Sequence, residues 1–270
     1  MSSDVSSLAF RYDKILKELG DSKATLVAVS KYTSDENIIE LYDLGHRDFG
    51  ENRVKEFCER AERLEQRCPE IRWHFIGNLQ RNKVTKLLSV EGLVAIHSVD
   101  RLSLLQKILI HQYDDDSRID LYFQINTSGE SQKAGMDGTM DIIACYEYFR
   151  EKQNPHFKFA GLMTMAAIRT QSYEQDARES FRSLEAIRHQ VVSLYPEIKK
   201  LKLNMGMSKD YKLAIEEGSH LIRVGSSLFN EPKGAAAKDN SHKERATGKT
   251  DSEDDDEFYR NVNAIPKKQE

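Results

Sequence analysis

The sequence has few cysteines: Cys58, Cys68 and Cys145 are all that 270 residues contain. Their number is odd and their spacing matches neither a zinc nor a redox motif, so a reducing compartment fits best. No stretch reaches the apolar length needed to cross a bilayer. Met1 to Ser7 lack the basic region and apolar run of a leader peptide. Basic charge is not in excess either: 40 Lys and Arg face 44 Asp and Glu, which leaves no stripe for a nucleic-acid backbone. Among eight histidines there is no His-x-His or His-Glu-x-x-His pair, so a metal hydrolase is poorly supported. These absences predict a soluble cytoplasmic protein, compatible with a mitochondrial share, with no nucleic-acid or membrane partner.

What is present is alternation. Short apolar runs at Thr25–Lys31, Arg47–Gly50, Arg72–Ile76, Leu93–His97, Asp120–Asn126, Lys158–Met163, Leu201–Asn204 and His220–Val224 read as strands. Between them apolar residues recur at helical spacing. One such stretch carries Ile38, Ile39, Leu41 and Tyr42, with Ser34 placed as N-cap and Gly45 as the residue that ends it. Others carry Val54, Phe57, Ala61 and Leu64, then Leu102, Leu105, Ile108 and Leu109, then Ile142, Ile143, Tyr146 and Phe149. Strands alternating with helices predict an α/β fold, and eight strands close well as a single (β/α)8 barrel of the TIM type. An open, doubly wound sheet is the competing architecture.

The opening stretch from Leu8 through Tyr12, Ile15, Leu16 and Leu19 predicts an extra N-terminal helix before the first strand. From Pro232 the composition turns to Lys, Asp, Glu, Ser, Gly and Ala, too poor in apolar surface to offset the entropy of ordering. The expected organisation is therefore a barrel over 1–231 and a disordered charged tail over 232–270.

Within Thr25–Lys31, alternation puts Val27, Val29 and Lys31 on one face and Leu26, Ala28 and Ser30 on the other. Lys31 would then point inward at the carboxyl end of the first strand, where barrels carry their active groups; a solvated rim lysine is the plainer alternative. After the seventh strand comes Met205-Gly206-Met207-Ser208, and after the eighth Gly225-Ser226-Ser227. Small residues there leave backbone N–H groups free to close on an anion, and loops seven and eight are the habitual phosphate site of such barrels. They are also ordinary turn residues. Arg223 alternates with Ile222 and Val224 and faces inward, either in a structural ion pair or toward the nitrogen of a cofactor ring.

Taken together, Ser30-Lys31, Phe49-Gly50-Glu51-Asn52, Trp73 to Gly77, Gln124 to Thr127, Gly161 to Met165, Met205 to Ser208 and Arg223 to Ser226 with Phe229 resemble the pyridoxal phosphate homeostasis proteins, also called the proline synthetase co-transcribed homologue family. The resemblance runs over about residues 8–231 in order and spacing. It implies a barrel like the amino-terminal domain of alanine racemase, holding pyridoxal 5′-phosphate (PLP) covalently on Lys31 as a Schiff base. It further implies phosphate contacts from Ser208, Gly225 and Ser226, and Arg223 opposite the pyridine nitrogen. Asn52, His74, Met163 and Met207 match residues around the pocket, although for His74 a packed core histidine is an equal reading. Arg53, Ala166-Ala167 and Asn230 depart from the family pattern, which puts the pocket rim in question more than the cofactor contacts.

The resemblance implies a role in intracellular vitamin B6 homeostasis: binding, storing and delivering PLP, with PLP-dependent apo-enzymes as recipients, as a monomer and without catalysis. A racemase-like amino-acid enzyme is the main rival. An arginine stays protonated, so a ring nitrogen facing it must accept, which weakens the ring as an electron sink. The racemases also use a tyrosine base from a second domain, and the composition after Phe229 offers no folded segment to supply one. A phosphosugar isomerase on the same barrel is a more distant alternative.

Overall fold

A computed structural model describes residues 7–113, 117–127, 134–166 and 172–230. The expected tail, 232–270, lies outside the described residues. Eight parallel strands form a closed barrel in chain order. They are β1 Thr25–Val29, β2 Asp48–Glu51, β3 Arg72–Phe75, β4 Leu93–Val99, β5 Ile119–Gln124, β6 Phe157–Met163, β7 Lys202–Met207 and β8 Leu221–Val224. Pairing of β8 with β1, from Thr25 opposite Leu221 to Ala28 opposite Val224, closes the ring and rules out the open sheet.

Around it run α1 Leu8–Leu19, α2 Asp35–Asp43, α3 Val54–Leu64, α4 Val84–Leu88, α5 Leu102–Leu109, α6 Thr139–Lys152, α7 Tyr173–Leu194, α8 Tyr211–Glu216 and α9 Ser226–Phe229. The caps follow from local chemistry. Ser34 Oγ accepts the Asn37 N–H at 3.4 Å to start α2, and Gly45 takes φ +94° to end it, a conformation costly for any residue with a Cβ.

Alternation along the strands makes two cores. Outward residues such as Leu26, Ala28, Phe49 and Phe75 pack under the helices. The apolar residues that share the barrel interior are Val27, Ala95, Tyr122, Ala160, Met163 and Leu221. Space there is tight: a Cβ on Gly161 would lie 2.3 Å from the Lys202 carbonyl oxygen and 2.9 Å from the Tyr122 ring. In α3 the four residues of the apolar period, Val54, Phe57, Ala61 and Leu64, are the four that are buried. Truncating Phe57, which is fully enclosed, would cost about 3–5 kcal/mol.

The N-terminal helix α1 buries Leu8, Tyr12, Ile15 and Leu19 against α2, α8 and α9. Arg11 Nε donates to the Leu228 carbonyl at 2.7 Å, tying the helix to the last turn of the barrel. Leu16, read as part of the same apolar stripe, is instead 42% exposed. Among the described residues no helix is long and apolar enough to cross a membrane.

Candidate functional site

The first strand ends two residues earlier than its alternation suggests, at Val29 rather than Lys31. The cause is a turn held from outside the strand. Ser30 N–H donates to the Gly50 carbonyl at 3.0 Å and Thr33 N–H to the Ser30 carbonyl at 3.0 Å, while Ser30 Oγ donates to Glu51 Oε1 at 2.7 Å. Arg60, from α3, clamps the turn: its guanidinium donates to the Ser30 carbonyl at 2.7 Å, Glu51 Oε1 at 2.6 Å, the Thr33 carbonyl at 2.7 Å and Asp35 Oδ1 at 3.0 Å. Lys31 therefore stands on a fixed turn at the strand's carboxyl end, with its Nζ 5.0 Å from the centre of the Tyr32 ring.

Lys31 lines a cavity of about 600 Å³, within the range of small-molecule sites. Asn52, Met207, Ser208, Arg223, Gly225 and Ser226 line the same cavity, together with Val29, Ile76, Gly77, Met165, Tyr173 and Phe229. Seven of the nine residues singled out in the sequence thus meet in one place. The other two do not: Met163 is buried among the interior apolar residues, and His74 lines a smaller cavity with residues from the amino-terminal ends of the strands, Thr25, Asp48, Arg72 and Asp120 among them.

The loops after β7 and β8 are stitched to each other. Ser208 Oγ accepts the Gly225 N–H at 3.1 Å and the Ser227 N–H at 3.3 Å, and Ser227 Oγ donates to the Ser208 carbonyl at 3.0 Å. A hydroxyl has two acceptor lone pairs and one proton, so with both lone pairs engaged Ser208 keeps its O–H as a donor. Below it, the buried Asp210 carboxylate accepts the Met207 N–H at 2.5 Å and the Tyr173 hydroxyl at 2.8 Å. Gly206 reaches φ +98° with no room for a side chain, since a Cβ would lie 2.5 Å from the Ala214 Cβ. The Gly225 and Ser227 amides are thus spent on Ser208 and the Met207 amide on Asp210, which leaves the Ser208 O–H to donate to an anion in the cavity that Ser208 and Ser226 line.

Arg223 is 4% exposed. It donates to the Thr164 carbonyl at 3.0 Å, to the Asn204 carbonyl at 3.3 Å and to Asn204 Oδ1. Among the described residues it makes no salt bridge, and neutral oxygens hold it rather than the expected alternative of an ion pair with a buried carboxylate. Burial pulls its pKa down to about 10, against the attraction of Asp210, and it remains a cation at neutral pH. A buried cation whose described partners are neutral acceptors favours an acceptor or anion in the adjoining cavity.

Arg60, Tyr173, Thr164 and Asn204 all shape this site, and sequence reasoning had passed over them. Asn204 ends a recognised strand and Thr164 lies in a recognised motif, so both carried a signal. Arg60 and Tyr173 sit in helices with nothing local to mark them.

Fold and site together define a barrel of the alanine racemase amino-terminal class. The family described as "Alanine racemase, N-terminal domain" matches residues 3–232, and an alanine racemase of Clostridium difficile superposes with a TM-score of 0.62 at 12% identity, covering 84% of this chain and 57% of that one. That likeness concerns the fold alone. The human pyridoxal phosphate homeostasis protein is 36% identical over 220 residues, 80% of this chain and 79% of its own. The chain belongs to the pyridoxal phosphate homeostasis protein family. The structure of PipY from Synechococcus elongatus PCC7942 with PLP bound matches with a TM-score of 0.72 at 31% identity, over 83% of this chain and all of that one.

Proposed function

We propose that this protein binds PLP in the cavity at the carboxyl ends of the strands, attached to Lys31, and serves intracellular homeostasis of the cofactor by storing and delivering it. The observation that carries the reading is the convergence of Lys31, the Ser208 and Gly225–Ser226 loops and Arg223 on one cavity. The parts fit the ligand. A primary amine for the aldehyde, the hydroxyl residues Ser208 and Ser226 for the phosphate and a donor-only arginine for the ring nitrogen are the complement that PLP requires. Asn52 and Met207 complete the wall. When bound, the cofactor supplies an electrophilic carbon; the chain's own residues hold and shield it.

The racemase-like reading needs a base beside the bound ring. Tyr173 lines the cavity, but its hydroxyl proton is committed to Asp210. Burial and that bond both push its pKa up from the ordinary tyrosine value. At neutral pH it stays protonated and is not available to take a proton, which favours the carrier role. With that role go PLP-dependent apo-enzymes as recipients, a monomeric state and a cytoplasmic location, with a mitochondrial share compatible.

The test is the absorbance spectrum of the protein mixed with PLP, followed by borohydride reduction and peptide mapping. A phosphopyridoxyl group on the peptide containing Lys31, and loss of the band in Lys31→Ala, are expected. A label on Lys83 or Lys209 would relocate the attachment, and an unlabelled chain would reject the reading.

A further inference from the structure

The barrel interior holds a row of polar side chains where an apolar core would suffice. They come from five different strands: Arg223 on β8, Asn204 on β7, His97 on β4, His74 on β3 and Asp48 on β2, and all five are buried. The contacts are continuous. Arg223 donates to Asn204 Oδ1, Asn204 Nδ2 lies 2.7 Å from His97 Nδ1, His97 Nε2 lies 2.9 Å from His74 Nδ1, and His74 Nε2 lies 3.0 Å from Asp48 Oδ1. At the far end Arg72 pairs with Asp48.

Chemistry fixes the direction of every bond. A guanidinium only donates, so Asn204 must offer it the carbonyl oxygen and turn its NH2 toward His97. His97 Nδ1 then has to be bare and its proton must sit on Nε2. That proton is given to His74 Nδ1, which must be bare in turn, leaving the His74 proton on Nε2 for the carboxylate. An extra proton on either ring would set two donors against each other along the row. Burial, reinforced by the Arg223 cation, holds His97 well below the ordinary histidine range, in keeping with a neutral ring.

A row of this kind could be no more than buried groups satisfying one another. Its end point argues otherwise, because the one member that lines the larger cavity is Arg223. We propose that Asn204, His97, His74 and Asp48 are positioning residues: a one-way hydrogen-bond chain through the barrel that holds Arg223 as a donor toward the ring nitrogen of the bound cofactor. The proposal rests on the PLP reading of the cavity.

The test compares PLP with an analogue in which C–H replaces the ring nitrogen, titrated against the full chain and two variants. His97→Leu breaks the row; His97→Gln can still accept from Asn204 and donate to His74. For His97→Leu the affinity for PLP should fall about tenfold, the worth of one charge-assisted hydrogen bond, while the analogue binds as it does to the unaltered protein. His97→Gln should recover most of the loss. Equal weakening for both ligands would reduce the row to a structural role and overturn the proposal. Failure of the unaltered protein to bind PLP would instead sink the reading of the cavity. Should His97→Leu not fold, 15N spectra of the unaltered protein labelled at histidine still test the row without any ligand: both buried rings are expected as neutral Nε2–H tautomers, and an Nδ1–H tautomer or an imidazolium at either would overturn the chain.

Discussion

Gly77 lies so close to Asn52 that a Cβ built on it would meet the Asn52 carbonyl oxygen at 1.9 Å. The chain segments leaving β2 and β3 can touch in this way only because one of them carries no side chain, and both residues form the wall of the cavity. The obstacle is backbone, which cannot swing aside as a side chain would. Gly77→Ala is expected to lower stability in urea unfolding by at least about 2 kcal/mol. Gly138→Ala, where nothing lies within 4 Å of the added carbon, should stay within about 1 kcal/mol as a change of N-cap. Similar values for the two would show that the Asn52 segment yields freely.

Tyr173 reaches from α7 to the Asp210 carboxylate that also holds the Met207 amide. Removing the hydroxyl in Tyr173→Phe leaves a buried carboxylate short of one donor, at a cost of about 1.5–3 kcal/mol. Thermal melting should register it. The same variant should still form the covalent PLP adduct at Lys31, since the hydroxyl holds the loop and takes no proton from the ligand. Loss of the adduct band in a folded Tyr173→Phe would give the tyrosine a chemical role and reopen the racemase-like reading.

The strands were legible because a two-residue period shows which face each side chain takes, and Val27 and Leu26 fall inside and outside the barrel as that period requires. The period does not show depth along the barrel axis. His74 faces inward as its alternation implies, yet it sits one step too low to reach the cavity that Ile76 and Gly77 line. Met163 lies below Met165 for the same reason. Nor could alternation locate the end of β1: the turn at Ser30 is set by Glu51 and Arg60, some 20 to 30 positions away in sequence. Contacts of that range become visible only when the barrel is closed.

Asp48 gives the fold a pH dependence of definite sign. Burial alone would raise its pKa, but hydrogen bonds from His74 and Arg72 and the Arg72 charge outweigh burial and hold it below the ordinary carboxylate value. A folded pKa below the unfolded one means stabilisation that is complete above the unfolded value, about 3.9, and is lost as pH falls through it toward the folded value. The stability difference between the unaltered protein and Asp48→Asn should be constant from about pH 8 to 5.5 and shrink below about pH 4. Urea unfolding across that range checks it. A difference that widened on acidification would mean that Asp48 is not ionised in the fold.

The final prediction concerns the phosphate site. The phosphate of PLP carries about two negative charges at neutral pH, and the loops after β7 and β8 line the cavity with the hydroxyl residues Ser208 and Ser226. Ser208 accepts from Gly225 and Ser227 and so keeps its O–H to give, while Ser226 opens α9 at the cavity. Each hydroxyl bonded to a charged group is worth about 1.5–3 kcal/mol. Replacing both serines with alanine should weaken PLP binding at least about tenfold, at about 1.4 kcal/mol per decade. Pyridoxal without its phosphate should be much less affected, because its aldehyde and ring still meet Lys31 and Arg223. Ser208 also ties the two loops together, so unfolding of the unliganded variant is measured alongside to separate a looser barrel from a weaker phosphate site. Equal losses for PLP and pyridoxal would mean that the loops shape the barrel generally, and the phosphate assignment would fall even with Lys31 established as the attachment point.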